Sequence, residues 1–153
     1  MLEKNLSFEA ICEQLTWVAN HSMIYLTASD LNNLVKGGRL NAGAAKIGEL
    51  LNIKFLLCIR QDGKIQLMER IRTDKRMNRR LAQIAEKSVV DYPNGVMLGF
   101  AHAMDEQRLK TVIEIVTKDQ PNQSYLKGTL GPVIVTHTGA GAIGMGVVPT
   151  ASY

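Results

Sequence analysis

"IKFLLCIRQDGKIQLMERI", residues 53–71, is the stretch that decides the fold. Ile53 to Ile59 is an almost unbroken apolar run of strand length, and Ile65, Leu67 and Glu69 alternate with Gln66, Met68 and Arg70 on the return. Between them, Gln61-Asp62-Gly63-Lys64 supplies the Asp-Gly pair whose positive φ angles a tight hairpin turn needs. Downstream, the period changes repeatedly. A helix is expected at 74–89, a strand at 95–101, a helix from Met104 to Thr117, then strands at 123–127 and 132–136. Upstream, Phe8, Ile11, Cys12, Leu15 and Val18 recur at helical spacing, which predicts a helix over 6–20 with Ser7 as its cap. A strand at Ser22–Leu26 follows, then a helix that starts within Thr27–Asp30, carries Leu31 and Leu34, and stops at Gly37-Gly38. Ala44 to Leu51 reads as one more short helix. A hairpin followed by alternating helices and strands implies an α/β or α+β fold: a mixed sheet of about five to six strands covered by helices.

The 153 residues suffice for one domain with a substantial core. Hydrophobic residues make up 46% and charged residues 21%, which excludes a disordered chain. No apolar run approaches the roughly 20 residues of a membrane-spanning helix. The first residues, with Glu3 and Lys4 among them, do not read as a signal peptide. Cys12 and Cys58, one in a helical pattern and one in an apolar strand, read as two buried thiols in a reducing cytoplasmic setting. A net charge of +4 permits an anionic ligand without demanding nucleic acid.

Three stretches carry chemistry. "VTHTGAGAIGMG", residues 135–146, satisfies G-x-G-x-x-G at Gly139, Gly141 and Gly144 after the apolar run 132–135, which reads as a strand. A dinucleotide site needs a helix, a second strand and an acidic residue beyond those glycines. Only nine residues follow Gly144; they include Pro149 and no Asp or Glu, so the match is incidental. What remains is His137 and Thr138 at a strand end beside a glycine-rich backbone, an arrangement suited to an anion. The plain alternative is a turn into a terminal strand, with His137 capping the backbone. The second stretch, Asn32 to Leu40, sets Lys36 and Arg39 around two glycines, and Arg39 offers a planar fork of donors for a carboxylate or phosphate. The alternative there is an ordinary helix end with a solvated arginine. The third, residues 70–80, holds six basic residues and one acid, with Arg76, Arg79 and Arg80 on one helical face. It suits a phosphate or an acidic partner, though a solvated face explains it equally, and no aromatics are interleaved as in nucleic-acid sites. His21, His102 and His137 lie far apart with no ligand spacing, and no nucleophile has an evident base. Neither an enzyme nor a metal site is indicated.

Taken in order, "LNNLVKGGRLNAGAAKIGELLNIKFLL", "DGKIQLMERIRT" and "GPVIVTHTGAGAIGMG" resemble the DegV family from about residue 5 to the end. Two positions depart from its pattern: Ala140 where the family usually has Pro, and Phe55 where Pro is common. Family members have two domains and nearly twice this length, so the resemblance implies a single lipid-binding domain over 1–153, matching their C-terminal half, with the N-terminal domain absent. It implies a bound long-chain fatty acid as ligand and no other cofactor, the acyl chain lying in an apolar tunnel. Leu, Ile, Met and Ala of the helices from Ala44 and Leu81 are the expected lining. The carboxylate would meet His137, with Thr138 and Gly139 shaping the site. Arg39 and Arg72, with Lys36 beside them, would form a rim that meets a fatty acid kinase or its phosphate, the kinase converting the bound acid to an acyl phosphate. A homo-oligomer of the isolated domain is left open. Two other readings compete: an enzyme using His137 as general acid or base and Arg39 as anion clamp, and a nucleic-acid contact through Arg72, Lys75, Arg76, Arg79 and Arg80.

Overall fold

A computed structural model describes residues 6–40, 53–59, 61–118 and 122–151. Its described elements are α1 (Phe8–His21), β1 (Met23–Ala28), α2 (Asn32–Lys36), β2 (Ile53–Ile59), β3 (Ile65–Arg72), α3 (Asp74–Asp91), β4 (Val96–His102), α4 (Glu106–Thr117), β5 (Tyr125–Thr129), α5 (Pro132–Thr138) and β6 (Ile143–Pro149). The short helix expected at Ala44–Leu51 lies outside the described residues. Six strands form one sheet in the order β3-β2-β1-β6-β4-β5. Only β4 and β5 run parallel, joined by the crossover through α4; the other neighbours are antiparallel. The fold is therefore the mixed α/β sheet that the hairpin and the alternation imply.

Most element ends fall within two residues of their sequence-based positions, but two readings are overturned. The start of α2 moves to Asn32, because Thr27 and Ala28 extend β1 and are buried in the sheet. More importantly, 132–136 is not a strand. Pro132 stands at the first turn of α5, where its fixed φ suits a helix and its missing N–H is not needed. The β-branched run Val133-Ile134-Val135 reads as strand by propensity, yet α5 packs on α2 and β1 instead. The last strand is the glycine-rich segment itself. Glycine ordinarily weakens a strand, but β6 is paired on both sides and Ile143, Met145 and Val147 alternate inward at 0–2% exposure.

One face of the sheet packs on α3 and α4. Leu56, Leu98, Phe100, Ile143, Met145 and Val147 meet Met77, Leu81, Ala85, Leu109, Val112 and Val116 there. Each such side chain stabilises the fold by about 1.5–3 kcal/mol through burial. Opposite, Leu26, Ala28, Phe55 and Leu57 pack with Leu31, Leu34 and Leu40 around α2. Ser7 caps α1, its Oγ accepting the Ala10 N–H at 3.2 Å. No residue of α1 is buried, so Cys12 faces solvent and only Cys58 is buried. Among the described residues no helix is long and apolar enough to cross a membrane.

Candidate ligand site at the sheet end

The strand directions collect chemistry at one end of the sheet. There β1, β3, β4 and β5 finish while β2 and β6 begin, which brings α2, the start of α3, the start of α4 and the end of α5 together. His137, in the last turn of α5, lies against Gly37, the residue that ends α2. A Cβ at residue 37 would stand 2.8 Å from His137 Cε1, so glycine is the residue that lets the ring settle. His137 Nδ1 lies 3.4 Å from the Asn33 carbonyl oxygen. When Nδ1–H donates there, Nε2 can donate to a carboxylate only in the doubly protonated ring. Lys36 and Arg39, both exposed, flank the two glycines that His137 abuts. Gly38 takes φ +68, turning the chain so that Arg39 N–H donates to the Leu34 carbonyl at 2.8 Å.

The two neighbours of His137 play structural parts. Thr138 is 3% exposed and its hydroxyl donates to Ile134 O at 3.0 Å. Gly139, at φ +84, donates its N–H to Val135 O at 2.8 Å and ends the helix. Because α5 is helical, His137 and Thr138 stand at a helix end, not at the strand end inferred from the apolar run. Arg72 is exposed at the end of β3, opposite Ile53, and so belongs to the same end of the sheet. The basic face of α3 is less uniform than its spacing suggests. Arg80 turns to Glu69, with Nη2 at 2.6 Å and Nε at 2.7 Å from Oε1, while Lys75, Arg76 and Arg79 are exposed. The paired carboxylate holds the Arg80 guanidinium above its ordinary pKa, its hydrogen bond outweighing the effect of burial.

Arg108 of α4 has no motif to announce it. Its side chain is 12% exposed, with Nη1 donating to Gly141 O at 2.5 Å and Nη2 3.1 Å from Asp74 Oδ1. Its Nε donates to Asn78 Oδ1 at 3.4 Å. Sequence gives no spacing that separates it from any arginine on a helix, because its partners lie 30 and 33 residues away.

An apolar groove of about 360 Å³ opens on the sheet face away from α3 and α4. Its floor follows from the register. One row across the strands is Ile24, Gly146, Gly99 and Leu126; the next is Leu26, Gly144, Ala101 and Gly128. At Gly99, Gly128 and Gly146 an added Cβ would meet no described heavy atom within 4 Å, so these glycines leave space above the sheet. Leu130 also lines the groove, just before α5 begins. Seven residues of helix then separate that rim from the His137 end, roughly 10 Å along the axis. The helix from Leu81, expected to line a channel, packs instead on the opposite face. A larger cavity of about 570 Å³ follows the outer edge of β3 from Ile65 to Arg70, with side chains alternately apolar and polar.

The model of the family described as "Uncharacterised protein, DegV family" matches residues 1–150. A DegV domain-containing protein of Streptococcus pyogenes serotype M6 is 35% identical over 148 residues, which are 95% of this chain and 51% of that protein. The crystal structure of a fatty acid binding DegV family protein from Streptococcus agalactiae superimposes with a TM-score of 0.84 at 30% identity, covering 97% of this chain and 52% of that one. A DegV family protein from Thermus thermophilus, described for its fatty acid binding, gives a TM-score of 0.81 at 25% identity and covers 97% and 52%. The chain thus spans about half the length of the relatives it matches.

Proposed function

The chain belongs to the DegV family, and from that membership we propose that it is a lipid-binding module that holds a long-chain fatty acid and is not itself an enzyme. The observation that carries the reading is the glycine-floored groove, found on a chain 30% identical to a fatty acid binding relative. The acyl chain lies along Ile24, Gly146, Gly99 and Leu126, where each buried methylene contributes about 0.8 kcal/mol. The carboxylate points past α5 to the sheet end and meets His137, whose imidazolium form offers Nε2–H to it. Gly139 turns the chain away from the head group, and buried Thr138 fixes the last turn of α5.

Arg39, Lys36 and Arg72 form the exposed rim of that end. As part of a two-domain cytoplasmic protein, this rim faces a fatty acid kinase, which phosphorylates the bound carboxylate to an acyl phosphate. An exposed trio of cations beside a carboxylate suits the transferred phosphoryl group. The test is mass spectrometry of organic extracts from purified, denatured protein, with palmitate titration of the stripped chain. One equivalent of fatty acid, and several-fold weaker palmitate binding in His137→Ala, are the expected results. Absence of lipid together with no measurable palmitate affinity would refute the proposal.

A further inference from the structure

We infer that Arg108 is a positioning residue that sets both arms of the sheet-end site from beneath. The consequence for ligand binding rests on the head-group reading above; the bracket itself rests on geometry alone. One arm is the loop after His137. Arg108 Nη1 holds Gly141 O at 2.5 Å, and Gly141 N–H donates to Ala103 O at 2.7 Å, so the loop is gripped from two directions. The other arm is the corner after Arg72. Arg108 Nη2 stands 3.1 Å from Asp74 Oδ1, and Asp74 follows Thr73 directly.

Backbone conformation at that corner shows why a bracket is needed. Thr73 takes φ +75, a region that β-branched residues rarely enter. Its Oγ accepts the Arg76 N–H at 3.4 Å, a long hydrogen bond that holds the corner only weakly. Asp74 adds the stronger tie, and Lys54 lies 3.9 Å from its Oδ2. The turn before α4 is left-handed too, at Met104 with φ +60. Asp105 Oδ1 there accepts the backbone N–H of Arg108 itself at 2.9 Å. One enclosed guanidinium therefore joins the loop behind His137, the strained corner behind Arg72, and the turn that launches its own helix. A planar fork with several fixed donors can do this, and a lysine ammonium cannot reach the same set together.

The experiment compares the wild-type chain with Arg108→Met, Arg108→Lys and Asp74→Asn. Amide hydrogen exchange reads the bracket at Gly141 and Arg76, with Met145 in β6 as the internal reference. Arg108→Met should accelerate exchange at both Gly141 and Arg76 by at least tenfold while Met145 changes by less than twofold. Arg108→Lys should restore protection at no more than one of the two. Asp74→Asn should loosen Arg76 more than Gly141, and it keeps the test open should the Met variant fail to fold. Unchanged exchange at both positions, loosening at one arm only in Arg108→Met, or equal acceleration at Met145 would overturn the inference.

Binding of palmitate and of hexadecanol, which share a tail, reads the consequence. Arg108→Met should weaken palmitate at least fivefold and leave hexadecanol within twofold. If the wild-type chain binds both equally, the head-group reading fails while the exchange data still decide the bracket. If both ligands weaken equally in Arg108→Met, Arg108 supports the fold and does not position the site.

Discussion

The imidazole of His137 rests on the Cα of Gly37, so that a Cβ at residue 37 would lie 2.8 Å from His137 Cε1 and 3.2 Å from Nδ1. Gly37 itself takes φ −78, ordinary for any residue, so Gly37→Ala probes the contact and not the backbone. Removing glycine by itself would stabilise the chain by up to about 1 kcal/mol. Here the added methyl must push the ring away. The expected outcome is a melting temperature within a few degrees of wild type and several-fold weaker palmitate binding, with a changed His137 Cε1–H chemical shift. An unperturbed His137 resonance would contradict the packing.

The groove floor gives a second prediction of opposite type. Gly99→Val places a β-branched side chain in a paired strand, where nothing described lies within 4 Å of its Cβ. Stability should be unchanged or higher by up to about 1 kcal/mol, since valine favours strands. Palmitate affinity should fall at least tenfold because the methyls occupy the groove. Gly144→Val should behave differently, since its Cβ meets Leu130 Cδ2 at 3.1 Å and Leu26 Cδ2 at 3.4 Å. Overpacking there should destabilise by about 1–3 kcal/mol in denaturant unfolding.

Tyr25 of β1 predicts an alkaline limit to stability. Burial first, then Cys58 and Tyr92 nearby, push its phenol above the ordinary value, against a smaller opposing effect of Arg80. The folded chain thus binds this proton more tightly than the unfolded chain. Its contribution is fully present below the ordinary tyrosine pKa of about 10 and is lost as pH rises through the raised folded value. Urea unfolding between pH 9 and 11 should show a falling stability, and Tyr25→Phe should fall less steeply over the same window. Parallel curves for the two proteins would count against the shift.

The cysteines give a quick check of burial. Cys12 is exposed on α1 and Cys58 is buried in β2. A thiol reagent should modify one cysteine in the native protein and two in denaturant, with peptide mapping assigning the fast site to Cys12. Two fast thiols under native conditions would mean that β2 is less protected than its position beside β1 and β3 implies.

Some of this was legible in the chain because its cause is local. The Asp62-Gly63 turn, the alternation along Ile65 to Ile71 and the spacing of Leu81, Ile84 and Ala85 fix a hairpin and a helix wherever those residues are found. Family motifs likewise carried His137, Arg39 and Arg72 to one site. The segment from Pro132 to Gly146 was misread because two local rules failed together. A β-branched run after proline became a helix, since α2 and β1 supply its apolar partners. The glycine-rich run became a strand, since two neighbours supply its backbone hydrogen bonds. The period-two signal of Ile143, Met145 and Val147 was present, hidden by the glycines between them.

Sequence by itself determined the elements with strong periodicity, the family, and the residue types able to hold an anion. Only the tertiary structure decided that Gly37 makes room for His137, that Gly99, Gly128 and Gly146 clear a groove, and that Arg108 binds both Gly141 and Asp74. Each of these depends on residues brought together from distant parts of the chain. Strand order and register set such meetings, and they follow from how the sheet buries its two faces, which no window of neighbouring residues contains.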